Sequence, residues 1–505
     1  MCPDTYLPDG GPADHRQFVP VNPSAAGLTP GRNCWRIEQA TKASVIVDAD
    51  EYFRVAREAM LKARHRIMLI GWDFDARIRL GDADDDGGPA TVGEYIYWLV
   101  ERTPGLDVYL LRWDIGALKA LFRGTTILTV LKWMRHPRIH TRLDGHHPTG
   151  SSHHQKIVVI DDCFAFCGGI DMTGDRWDTR DHRDDDPRRV KPNGKPYKPW
   201  HDATTALEGP VAAALGELAR ERWQRAGGKS LTAVPGRDDC WPASLGIHFN
   251  DLPVAIARSQ PAMPDVEAVI EIERLYVDQI ARADRFIYAE SQYFASRRVA
   301  EAIAARLGEA GGPEIVIVNP VTAQGWLEPL AMDTARARLY ETLKAHDRDG
   351  RLRLYHPLTA AGEPIYVHAK ILVVDDRILR VGSSNLNNRS LRLDTECDVT
   401  IDAEQPGCAM HRTKIAEIRD GLIGEHLAVA PEAVAAAIAS SGSLIAAIES
   451  LRGAGKSLSD YVTPNLSEVE AWLADNEVLD PEGPGEMFEA LTSRGLFRRL
   501  RRRRK

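Results

Sequence analysis

The chain has 505 residues, 44% of them hydrophobic and 27% charged, with 40 Gly, 30 Pro and a formal net charge of −8. That composition excludes collagenous, disordered and disulfide-scaffold classes, and the length implies more than one sizeable core at roughly 100–200 residues per domain. The acidic balance argues against a nucleic-acid-coating protein, so no nucleic-acid partner is expected.

Residues 1–43 are rich in Pro and Gly and read as an N-terminal extension wrapping the surface. They lack the basic segment and apolar core of a secretory signal, so a cytoplasmic location is expected. Helix-like Glu51 to Arg64 then runs into the apolar, strand-like segment Arg66 to Asp73, and Val108 to Leu111 forms a second buried-type strand. The stretch His154-Gln155-Lys156-Ile157-Val158-Val159-Ile160-Asp161-Asp162 follows, with Gly168-Gly169 and Asp171 at offsets of 14 and 17 from the His. The seven cysteines are odd in number and scattered, so reduced thiols are expected, with Cys163 and Cys167 packed in one apolar segment.

The same order then returns. Helix-like Val266 to Ala283 runs into Arg285 to Gln292, Ile315 to Val318 follows, and His368-Ala369-Lys370-Ile371-Leu372-Val373-Val374-Asp375-Asp376 repeats the earlier stretch 214 residues on. Gly382-Ser383 and Asn385 occupy the same two offsets. An internal repeat of alternating strands and helices predicts an α/β fold of two tandem, pseudo-twofold-related α/β/α lobes. Each lobe is a mainly β-sheet core flanked by helices, with one active site at the interface. The expected boundaries are 44–235 for the first lobe, 236–255 for a linker, 256–425 for the second lobe and 426–505 for a C-terminal helical appendix. Within that appendix Ala433 to Ile448 is apolar but broken by serines and a glycine, so it reads as helical and not membrane-spanning. Arg494, Arg498, Arg499, Arg501, Arg502, Arg503, Arg504 and Lys505 give the tail eight positive charges, suited to peripheral contact with an anionic membrane.

On an extended strand, residues at i and i+2 share a face, so each copy presents an imidazole beside an ammonium. Two such pairs around one point suit an anionic phosphorus centre: one His attacks while the other protonates the leaving oxygen, and Lys156 and Lys370 stabilise the non-bridging oxygens. Ser383, Asn385 and the glycine turns add donors to those oxygens, with Gly169 and Asp171 at the matching positions of the first copy. A nucleophilic imidazole also needs a carboxylate on its far nitrogen. Asp202 and Glu396 open matching strand-like segments, and the expected pairing is Asp202 with His154 and Glu396 with His368. Asp161 and Asp375 complete the candidate catalytic set, their expected part being to anchor the loop or the Lys. The scheme needs no cofactor and no metal.

Two crowded stretches invite a metal reading and do not sustain it from spacing alone. His136, His140, His146, His147, His153 and His154 fit no zinc pattern, and Asp171, Asp175, Asp178, Asp181, Asp184, Asp185 and Asp186 do not satisfy a calcium loop and read as a solvated rim.

The paired H-x-K-x4-D-x6-G-[GS] stretches resemble the signature of the phospholipase D superfamily. Gly174 to Thr179, Trp200-His201-Asp202 with Glu208-Gly209-Pro210, and Ile287 to Phe294 are similar to segments of its phospholipid-cleaving members. The resemblance spans residues 44 to 425. It implies a phosphodiesterase acting on a glycerophospholipid through a covalent phosphohistidine, His154 being the nucleophile and His368 the acid and then base. It also implies transfer of the phosphatidyl group to alcohols. The alternatives are a cardiolipin or phosphatidyl-transfer synthase, a metal-independent nuclease, and a non-catalytic membrane-binding module.

Overall fold

The computed structural model describes residues 26–464 except 82–85, 115–125, 238 and 325–331. The basic tail therefore lies outside the described residues. Eighteen strands occur in the described chain. Those of the first half are β1 (Arg36–Val47), β2 (Arg66–Gly71), β3 (Asp107–Trp113), β4 (Ile139–Asp144), β5 (Ile157–Ile160), β6 (Phe164–Gly168), β7 (Trp200–His201) and β8 (Ala203–Glu208). Those of the second are β9 (Phe249–Gln260), β10 (Val269–Ile270), β11 (Phe286–Glu290), β12 (Glu314–Val318), β13 (Leu352–Leu358), β14 (Tyr366–Val367), β15 (Ile371–Val374), β16 (Ile378–Gly382), β17 (Glu396–Asp402) and β18 (Ser457–Asp460).

The half-sheets are ordered alike, β4-β3-β2-β5-β6-β8-β1 and β13-β12-β11-β15-β16-β17-β9. In each, the first three strands are parallel and the next pairings antiparallel. β1 and β9 pair antiparallel from Arg36↔Ile256 to Ala43↔Phe249, so the two halves form one continuous sheet about a central seam. Helices such as Ala49–Leu61, Pro210–Arg225 and Glu271–Ala281 pack onto it. β5 and β15 are buried at every position, as strands covered on both faces must be, which is why they read as unbroken Ile/Val/Leu runs.

Three expected boundaries shift. β1 begins at Arg36, so the end of the N-terminal extension is core strand; β9 begins at Phe249, inside the linker. The appendix adds β18 to the sheet edge beside β13, together with the helices Pro431–Ser441 and Leu444–Leu451. Gly442, at φ 68°, separates those two helices. Among the described residues no single helix is long and apolar enough to cross a membrane.

Cysteine chemistry also differs from expectation. Cys163 is joined to Cys240 by a disulfide, pinning the segment after the first lobe's last helix against β6. Cys34, Cys167, Cys397 and Cys408 are free and buried. Sequence spacing does not reveal the bridge because 77 residues separate its ends.

Candidate active site

The motif aspartates close the ends of the central strands away from the histidines. Asp161, at φ 51°, accepts hydrogen bonds from the backbone N–H groups of Arg64, His65 and Arg66 at 2.7–2.8 Å. Asp375, at φ 53°, does the same for Asp284, Arg285 and Phe286 at 2.8–2.9 Å. Each carboxylate thus ties the end of β5 or β15 to the start of β2 or β11. With a four-residue strand of about 13 Å between them and the lysines, they reach neither the Lys nor the site, so they do not belong in the catalytic set.

At the other end of these strands the lobes meet. His153 bridges to Thr395, and the His154 N–H donates to the Thr395 carbonyl at 3.0 Å. β7 pairs with β14, and the His368 N–H donates to the His201 carbonyl at 2.7 Å. The residue before each acid is therefore bonded to the backbone of the opposite lobe's histidine.

This seam corrects the expected pairing. His154 Nδ1 lies 2.9 Å from both carboxylate oxygens of Glu396, and His368 Nδ1 lies 2.6 Å from Asp202 Oδ2. Each imidazole takes its carboxylate from the other lobe. With Nδ1 so occupied, Nε2 of each ring is the nitrogen left for chemistry. Burial holds both imidazoles well below the ordinary histidine range, reinforced by Lys156 and Lys370 at His154 and by Lys370 and Arg176 at His368. Burial also pushes Glu396 and Asp202 upward, while Lys156 at Glu396 and Lys370 at Asp202 oppose it.

Lys156 Nζ donates to the His154 carbonyl at 3.0 Å and sits 3.4 Å from Asp171 Oδ2. Lys370 Nζ donates to the His368 carbonyl and lies 3.5 Å from Gln292 Oε1. Burial draws the Lys370 ammonium down to about 7. The phosphate donors expected from the sequence divide. Asn385 Nδ2 stands 3.4 Å from Gln292 Oε1, beside Lys370's partner. Ser383 is instead spent on support: its hydroxyl donates to Glu396 Oε2 at 2.6 Å and its N–H faces Asp398 Oδ1 at 3.0 Å. Asp171 is an acceptor beside Lys156, also taking the Trp72 N–H at 3.1 Å, and supplies no donor to a phosphate. Gly169 serves by lacking a side chain, since a Cβ there would stand 2.2 Å from Asp202 Oδ1.

Sequence reasoning missed Gln292, although it lies within Ile287 to Phe294, one of the segments singled out. Its signal was positional: it follows β11 as Trp72 follows β2. The aspartate stretch is not a solvated rim throughout, because Asp171, Asp178 and Asp186 are buried. Asp178 accepts the Trp200 N–H at 2.9 Å and pairs with Arg189 and His182. It adjoins a second buried cluster. Asp48, His182, His201 and Glu425 bring one ligand atom each to within 4.8 Å of one another, a set of two carboxylates and two imidazoles that can hold a divalent cation. Its members come from four separate segments, so no local spacing betrayed it. Asp48 Oδ1 accepts the Asp202 N–H at 3.0 Å, which sets the cluster directly behind His368's acid.

Two histidine–lysine pairs, each with a carboxylate from the opposite lobe, are thus gathered at one seam. The sequence pattern of the phospholipase D family matches residues 59–300, and that of the cardiolipin synthase, PLD-like domain matches 276–415. The chain belongs to the phospholipase D superfamily. It is 24% identical to phospholipase D alpha 1 of Carica papaya over 80% of this chain and 63% of that one. It is 25% identical to phospholipase D alpha 1 of Arabidopsis thaliana over 85% of this chain and 67% of that one. The chain thus spans 63–67% of the length of these two relatives. The crystal structure of a phosphatidylserine synthase from Haemophilus influenzae shares the superfamily fold, with a TM-score of 0.52 at 16% identity over 76% of this chain and 86% of that one.

Proposed function

We propose that the chain is a phospholipase D-type phosphodiesterase, cleaving the headgroup from a glycerophospholipid to leave phosphatidic acid and passing the phosphatidyl group to alcohols when they compete with water. The observation that carries this reading is the crossed pairing of His154 with Glu396 and His368 with Asp202. In the first step His154 Nε2 attacks phosphorus, the bond to the headgroup oxygen breaks, and His368 gives that oxygen its proton. Glu396 holds the proton on His154 Nδ1 and offsets the charge that forms on the ring. Lys156 and Lys370 stabilise the extra charge on the equatorial oxygens. In the second step neutral His368 takes a proton from water or an alcohol, whose oxygen displaces His154 from phosphorus. The arriving diester anion is what lets His368 carry a proton despite its burial. Leu131, Met134 and Leu143, exposed by the edge strand β4, supply apolar contact for a lipid surface.

The test is incubation of the full chain with phosphatidylcholine and phosphatidylethanolamine vesicles, with and without ethanol. Phosphatidic acid, and phosphatidylethanol when ethanol is present, are expected, and H154A should form neither. Absence of both products from the unaltered chain would overturn the reading. The match of 276–415 to the cardiolipin synthase-like domain favours one second reading, transfer to the glycerol of another phospholipid. Formation of cardiolipin from phosphatidylglycerol vesicles distinguishes it.

A further inference from the structure

The walls beside the two histidines differ in chemistry. Beside His154, Trp72 presents its edge with ring centroids 6.4 Å apart and stacks on Trp113 at 5.7 Å. Of the two indoles there, Trp113 has its donor spent, Nε1 donating to His147 Nε2 at 3.0 Å. Beside His368, Trp200 lies 5.1 Å away and stacks on Tyr366 at 4.7 Å, and the guanidinium of Arg176 sits 4.1 Å over the Trp200 ring. The donors on this wall are not spent. Trp200 Nε1 and Arg176 Nε are both buried with no hydrogen-bond partner. Arg176 Nη1 reaches a backbone carbonyl, that of Asp175 at 3.3 Å, and among the described residues no carboxylate pairs with this guanidinium.

Two unpaired buried donors, one of them on a guanidinium, are costly unless something accepts from them, at about 1–3 kcal/mol per buried polar group. We infer that Arg176 and Trp200 form a headgroup subsite that selects headgroup alcohols bearing a carboxylate or phosphate. The inference rests on the phosphodiesterase reading, in which the leaving oxygen departs toward its acid, His368, and the headgroup therefore lies along this wall. An anionic group on the headgroup takes the Arg176 and Trp200 N–H donors together, whereas a trimethylammonium is set against a guanidinium. Both donors are held in advance: Trp200 belongs to β7, paired with β14 across the seam, and Tyr366 braces its ring. The positive potential of Arg176 at His368 and Tyr366 agrees with this placement.

The experiment presents equal phosphatidylserine and phosphatidylcholine in mixed micelles to the full chain and takes the ratio of kcat/KM from released serine and choline. The unaltered chain is expected to favour phosphatidylserine. Arg176→Gln should lower the ratio about tenfold or more, in line with the loss of a charge-assisted hydrogen bond. Arg176→Lys should fall between, keeping charge without the planar fork. Trp200→Phe keeps an aromatic ring against Tyr366 and removes Nε1 with part of the indole; it should lower the ratio severalfold with an unchanged circular dichroism spectrum. A preference of the unaltered chain for phosphatidylcholine, or an equal loss on both lipids in Arg176→Gln and Trp200→Phe, overturns the subsite. Release of phosphatidic acid from neither lipid removes the phosphodiesterase reading, and the subsite with it.

Discussion

Asp202 of the first lobe lies 2.6 Å from His368 Nδ1 of the second, while Glu396 of the second lies 2.9 Å from His154 Nδ1 of the first. On the proposed mechanism Glu396 supports the attacking ring and Asp202 the ring that protonates the leaving group, and a substrate with a good leaving group separates the two. Asp202→Asn is expected to lower kcat on phospholipid by about 10³–10⁴-fold, the loss seen when such an acid is neutralised. It should recover most of that on a p-nitrophenyl phosphodiester, whose phenolate departs unprotonated. Glu396→Gln, acting on the attacking ring, should stay impaired on both substrates. Stopped-flow release of p-nitrophenol measures the contrast, and equal rescue of both variants would exclude the assigned roles.

Gly169 has no room for a methyl group, the nearest atom to its ideal Cβ being Asp202 Oδ1 at 2.2 Å. Gly169→Ala should therefore displace the Asp202 carboxylate and cost about 10²-fold in kcat, as expected for an ångström-scale misplacement. KM for lipid and the thermal midpoint should change little by comparison. Steady-state kinetics alongside calorimetry decide the point.

Lys370, with its pKa drawn down to about 7 by burial, is a cation below that pH and neutral above it. In the free enzyme kcat/KM should fall as pH rises through about 7, because the cradle loses a charge needed for the diester anion. On the acid side His154, held well below the ordinary range, stays neutral and nucleophilic at pH values where a free histidine is protonated. Lys370→Arg should flatten the alkaline limb while leaving the acid limb in place, a result read directly from pH–rate profiles.

Cys163–Cys240 closes a loop 77 residues long in sequence. Chain-entropy arguments give such a link about 4 kcal/mol. Thermal unfolding with and without reductant should show a lower midpoint when reduced, and Cys163→Ser should lose the difference. Titration of thiols in the denatured, unreduced chain should find two fewer than after reduction.

Glu290 is buried against His201 at 2.7 Å, His426 at 3.1 Å and the Tyr288 hydroxyl at 2.5 Å. It and Glu425 are held far below the ordinary carboxylate range, in both cases against the upward push of burial and chiefly by His201. Because their folded values are depressed, their stabilisation is present above the unfolded carboxylate range and is lost as pH falls below it. His201, raised well above its usual value, contributes in full below the unfolded histidine value and loses that contribution as pH rises through the folded one. Glu290→Gln should destabilise by about 3–5 kcal/mol, the cost of breaking a buried pair. It should also make the acid-unfolding curve shallower, as followed by circular dichroism.

The fold was legible in the repeat because β5 and β15 must be apolar on both faces and their lysines and aspartates must sit at fixed strand ends. A spacing of 214 residues between like motifs therefore carried the pseudo-twofold arrangement. The gathering of His154, Lys156, His368 and Lys370 at one seam was legible for the same reason. Partnership was not: nothing in the local pattern of Asp202 or Glu396 says which histidine it meets. That follows from the backbone bonds of His153 to Thr395 and of β7 to β14, which exist only once the lobes are joined. Ser383 looked like a phosphate donor because its position follows a glycine turn, yet the extra reach of Glu396 consumes its hydroxyl. The Asp48, His182, His201 and Glu425 cluster escaped notice because its members are separated by up to several hundred residues and meet only behind the seam.

The antiparallel register of β1 on β9 has the form of a twofold axis passing between two equivalent surfaces. A half-chain cut between the lobes exposes an unpaired strand edge and leaves its histidine facing no acid. Two identical halves related by that axis supply each other with both. Assembly and catalytic competence are therefore coupled in one event: whatever joins the edges also completes the imidazole–carboxylate pairs, and a separated half is both open to edge-to-edge association and chemically incomplete.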